Sequence, residues 1–67
     1  MKRELILAKY IKAHEKQLTV ESIIIIKEAL KYYEENFGEL DDDYELEVQC
    51  AIMAYASEAY RKELEYG

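Results

Sequence analysis

With no proline anywhere and a single internal glycine, Gly38, this chain has almost nothing with which to stop a helix. In a helix interior proline costs about 3 kcal/mol and glycine about 1 kcal/mol relative to alanine, so their absence leaves long helical stretches unopposed. The abundant Ala, Leu, Glu and Lys lose little freedom on entering a helix. An all-α fold follows, with Gly38 marking a helix end because it alone accepts positive φ there without strain.

Three segments carry helical periodicity. The first spans about 2–16, with Leu7, Ile11, His14 and Leu18 on one face and Lys2, Lys9, Lys12 and Lys16 forming a cationic stripe on the other. The second spans about 20–37, with Thr19 as N-cap and Ile23, Ile26, Leu30, Tyr33 and Phe37 on one seam. The third spans about 43–65, where the Asp42/Glu45 spacing suits a capping box and three aspartates meet the positive end of the helix dipole. The expected architecture is a single domain over 1–67. Helices two and three form an antiparallel hairpin, and helix one packs across it.

Within the second helix stands "IIII", residues 23–26. Four consecutive positions fan over about 300° of a helix, so they cannot share one face. Isoleucine is a weaker helix former than leucine, by a few tenths of a kcal/mol, whereas burying it contributes about 1.5–3 kcal/mol. The run therefore predicts burial on more than one side. The third helix shows the same property as two apolar stripes about 200° apart. One comprises Leu46, Cys50, Met53, Tyr60 and Leu64, with Ser57 completing a heptad-like series; the other holds Val48, Ile52, Tyr55, Ala59 and Tyr66.

Size makes that surplus significant. A chain of 67 residues hides only about 60% of the surface its unfolded form exposes, and such domains usually need a staple. Cys50 is the sole cysteine, which excludes an intrachain disulfide, and one His with one Cys cannot build a zinc site of the usual kind. Self-association remains, and seven tyrosines fit it, since tyrosine combines a large apolar face with a polar tip. The expectation is a homodimer or higher oligomer whose interface contains Ile24, Ile25, Tyr32, Val48, Ile52, Tyr55 and Ala59.

Charge is divided along the chain. Residues 1–31 carry seven Lys/Arg against four Glu, and residues 32–67 carry two basic residues against eleven acids, for a total of −6. The acidic surface formed by Glu39, Asp41, Asp42, Asp43, Glu45 and Glu47 could meet a basic partner protein. The Lys2, Lys9, Lys12 and Lys16 stripe could approach anions, but the net negative charge works against nucleic acid at long range.

Recognisable chemistry is sparse. "DDDYELEVQCAI" lacks the alternating oxygens and central glycine of a calcium loop. No glycine-rich phosphate loop or nucleophile elbow is present. His14 reads as an apolar-face packing residue and Cys50 as a small hydrophobe. No cofactor or metal is expected. No apolar run approaches the roughly 20 residues needed to span a bilayer, and Glu4, Lys9, Lys12 and His14 interrupt any signal-peptide core. The expected location is cytoplasmic, in a host cell if the chain is viral.

Together these features predict a small acidic, non-enzymatic interaction protein: a regulator, inhibitor or adaptor of the kind phages and mobile elements encode. Two alternatives are a nucleic-acid-associated regulator using the Lys stripe, and a helical oligomer that sequesters a nucleotide between tyrosines.

Overall fold

The computed structural model describes residues 2–66. It contains three helices: α1 (Lys2–His14), α2 (Val20–Phe37) and α3 (Tyr44–Tyr66). Among the described residues there is no strand.

Local chemistry sets the boundaries. Thr19 lies in extended backbone, and its Oγ1 accepts the Ser22 N–H at 3.1 Å, as an N-cap does. At the other end of α2, the Gly38 N–H donates to the Glu34 carbonyl at 3.1 Å. Gly38 has φ 99° and ψ −158°. Its φ is positive, as expected, but its ψ lies in the mirror image of the β region rather than in the left-handed helical well.

The start of α3 differs from the expected capping box. Asp43, not Asp42, caps the helix, with its Oδ1 accepting the Leu46 N–H at 3.2 Å. The two residues of the expected box are engaged elsewhere: Asp42 sits 3.4 Å from Lys2 Nζ, and Glu45 lies 2.8 Å from His14 Nε2. Helix α1 also stops two residues early, in a turn where the Gln17 N–H donates to the His14 carbonyl. Residues 15–17 are exposed and have no apolar face to bury, whereas Leu18 turns back onto the core.

Helices α2 and α3 share the most extensive contact. The six-residue connection 38–43 is short enough to make them antiparallel neighbours. Helix α1 is tied to the connected end of this hairpin: Lys2 reaches Asp42, Arg3 reaches Glu34 at 3.2 Å, and His14 reaches Glu45. Between these ties Ile6 enters the core with Ile26, Ala29, Leu30, Leu40, Val48 and Ala51.

That core is small and lies toward one end. From Ala59 to Glu65 every residue of α3 is exposed, as are Val20, Ile24 and Ile25 in the first half of α2. The accessible surface is 5219 Å². A compact monomer of 8.0 kDa would expose about 4,450 Å². The fold thus presents about 770 Å² more surface than its mass requires.

Candidate interaction surface

The two apolar stripes of α3 have opposite fates. Val48 is fully enclosed, and Ile52 and Tyr55 pack on the core; with Ala51 they form the inward face. The other stripe faces solvent, with Leu46 51%, Met53 69%, Tyr60 64% and Leu64 67% exposed. Cys50 is half-buried and Ser57 exposed in the same row. Positions 46, 50, 53, 57, 60 and 64 alternate steps of four and three, which is the period of a coiled-coil seam.

This placement corrects the expected interface. Val48 lies inside its own domain and offers nothing to a partner. Tyr55 packs edge-on against Tyr32 with ring centroids 5.9 Å apart, and the Tyr32 hydroxyl donates to Glu58 at 3.5 Å, so this pair helps close the hairpin. Ala59 is exposed, beside these residues rather than in the outer row. Ile24 and Ile25 are both more than half exposed. Of the four isoleucines only Ile26 is buried, while Ile23 is half-buried.

Around the outer row of α3 the surface remains apolar at its N-terminal end. Phe37 is exposed and stacks on Tyr33 at 5.0 Å. Tyr33 is half-buried and packs on the core. Burial, then the neighbouring Glu47 carboxylate and the Cys50 thiol, raise the Tyr33 phenol above its ordinary value of 10. At the other end, Arg61 grips Glu58 through both carboxylate oxygens at 2.9 and 2.7 Å.

Of the predicted acidic surface, Glu39, Asp41, Asp42 and Asp43 are exposed, Glu45 is half-buried and Glu47 is buried. Asp42 pairs with Lys2, Asp43 caps α3 and Glu45 meets His14. The Asp41 carboxylate accepts its neighbour's N–H at 2.8 Å. On α1, Lys9 and Lys12 are exposed, Lys2 is ion-paired, and Lys16 lies beyond the helix end.

His14 stacks on Tyr10 with centroids 4.4 Å apart and pairs with Glu45, which places it between α1 and α3 in a joining role. Among the described residues no group of three or more His, Cys, Asp or Glu is arranged to hold a metal ion. No described helix is long and apolar enough to cross a membrane.

The Leu46–Leu64 row was visible in the sequence, but its outward direction was missed. Both stripes are apolar at helical spacing, so no signal within α3 itself distinguished the inward one. Compared with known protein families, curated proteins and solved structures, the chain shows no significant match to any of the three.

Proposed function

We propose that this protein is a small acidic, non-enzymatic interaction protein, a regulator, inhibitor or adaptor, that acts by binding protein surfaces and assembles with itself. One observation carries the reading: the row of exposed Leu46, Met53, Tyr60 and Leu64 on the outer face of α3. Single exposed hydrophobics are ordinary, but a contiguous apolar stripe is what a protein interface presents. Cys50, within the row, is half-buried, and Tyr33 packs on the core.

The residues most often recruited for catalysis have other roles here. His14 bridges two helices through Glu45, and Cys50 is a half-buried free thiol. The charged groups around the row would govern partner choice and association rate more than affinity.

The Met53→Glu/Leu64→Glu double variant tests this reading. Both side chains are exposed, so the fold should remain intact by circular dichroism. The wild-type chain, used as immobilised bait at physiological salt, should retain free copies of itself and other proteins that the variant releases. Equal retention by bait and variant would contradict the reading.

A further inference from the structure

Glu47 is the one buried charged side chain among the described residues, only 7% exposed. It also takes part in no side-chain hydrogen bond or ion pair among them. We infer that Glu47, together with Tyr33 and Phe37, receives a guanidinium group, the arginine side chain of a partner protein, at the edge where α2 meets α3. This deepens the interaction reading above by naming the chemistry of one partner residue, and it uses none of the exposed row of α3.

Position comes first. Glu47 and Cys50 lie three residues apart on α3, so they are neighbours on one side of the helix. Tyr33 of α2 sits near both, since the carboxylate and the thiol each help to raise its phenol. The Tyr33 ring stacks on Phe37 with centroids 5.0 Å apart and planes 29° from parallel. Tyr33 is half-buried, whereas Phe37 is 63% exposed, so an aromatic surface open to solvent lies beside the covered acid.

The carboxylate can still be reached. Among the described residues, no side-chain nitrogen or oxygen sealed from solvent lacks a hydrogen-bond partner. Glu47 has no such partner, so its oxygens must touch the surface while its stem is covered.

Charge favours a cation there. A carboxylate surrounded mostly by protein is less well hydrated than one on open surface, and an opposite charge is drawn to it more strongly. The chain supplies none: Lys2, Arg3, His14 and Arg61 pair with Asp42, Glu34, Glu45 and Glu58. Exposed Glu39 and Asp41, in the connection between α2 and α3, add to the field that attracts a cation.

The ligand's chemistry follows from what the site offers. Among the described residues no group of three or more His, Cys, Asp or Glu is arranged to hold a metal ion. An organic cation needs only one carboxylate and an aromatic surface. Guanidinium suits both better than ammonium does, because it is planar, donates to a carboxylate through two parallel N–H groups and stacks on rings.

A blocked glycine–arginine–glycine tripeptide, titrated into the full chain and followed by amide and aromatic NMR, tests this. Lysine and citrulline versions run alongside. One side chain supports only millimolar affinity. Saturable shifts should centre on Tyr33, Phe37, Glu47 and Cys50, with the lysine peptide weaker and the citrulline peptide silent. Glu47→Gln should weaken binding at least about tenfold. Phe37→Ala, at an exposed position, should weaken it about two- to tenfold, and this variant decides the matter if Glu47→Gln fails to fold.

Non-saturating shifts centred on Glu39 and Asp41 would overturn the inference, as would equal binding of the arginine and lysine peptides. Binding that Phe37→Ala leaves unchanged would overturn it too. Each of these failures leaves the exposed row of α3 untouched, and the bait comparison decides the interaction reading separately.

Discussion

Leu30→Ala should lower the unfolding free energy by about 2–5 kcal/mol, the range for deleting a buried leucine side chain and leaving a cavity. Leu30 and Val48 are the largest fully buried side chains of the core, and their neighbours Ala29 and Ala51 are too small to fill the gap. A domain of this length has about 3–10 kcal/mol of stability in total, so the loss is a large share of it. With about 4–8 °C of melting temperature per kcal/mol, the midpoint should fall by at least about 8 °C. Thermal unfolding followed by far-ultraviolet circular dichroism measures this directly. A midpoint within about 2 °C of wild type would mean that the core does not lie where α2 crosses α3.

Gly38→Ala should cost about 1–3 kcal/mol, through backbone conformation alone. A Cβ at position 38 would meet no atom within 4 Å, so no clash contributes. The cost arises because φ 99° with ψ −158° is a region L-residues rarely enter. Chirality separates this cause from any other. In a chemically synthesised chain, D-alanine at 38 finds its own β region at those angles and should match or slightly exceed glycine in stability. Equal destabilisation by L- and D-alanine in chemical denaturation would show that the helix end is shaped by something other than this torsion pair.

These two positions also show what could be read from the sequence. Gly38 was legible because only one internal glycine exists, and a breaker-free chain must end its helices somewhere. Leu30 was legible from its place on the Ile23, Ile26, Tyr33 seam. Thr19 was legible as a cap because a hydroxyl before an apolar-periodic stretch satisfies an otherwise orphaned N–H. In each case the cause is local or lies on one helix face.

What could not be read depends on long-range partners. Asp43 rather than Asp42 caps α3 because the helix begins at Tyr44, with the Glu47 N–H donating to the Asp43 carbonyl, while Asp42 turns to Lys2. Periodicity defined two stripes on α3 but could not orient them, since both are apolar at helical spacing. The choice depends on the contacts made with α1 and α2: Val48, Ala51, Ile52 and Tyr55 face the core. Leu46, Met53, Tyr60 and Leu64 are left outside. The same logic applies to "IIII". Its fan of directions predicted burial on more than one side, yet only Ile26 is buried and Ile24 and Ile25 are exposed on this chain.

The acidic half of the chain is reinterpreted in the same way. Four of its eleven carboxylates have structural roles: Glu34, Asp42 and Glu45 join α1 to the hairpin, and Asp43 caps α3. Three of the four ion pairs among the described residues link residues more than thirty positions apart. All are partly or well exposed, so each contributes modestly, about 0–1 kcal/mol, and their main effect is to fix where α1 lies.

The central claim is that the outer row of α3 is an association surface. Sedimentation equilibrium of the wild type and of Met53→Glu/Leu64→Glu at micromolar concentrations tests it most directly. The account predicts about 16 kDa for the wild type, twice the 8.0 kDa chain mass, and about 8 kDa for the folded variant. A wild type that sediments at 8.0 kDa, or a variant that keeps the wild-type mass, would contradict it.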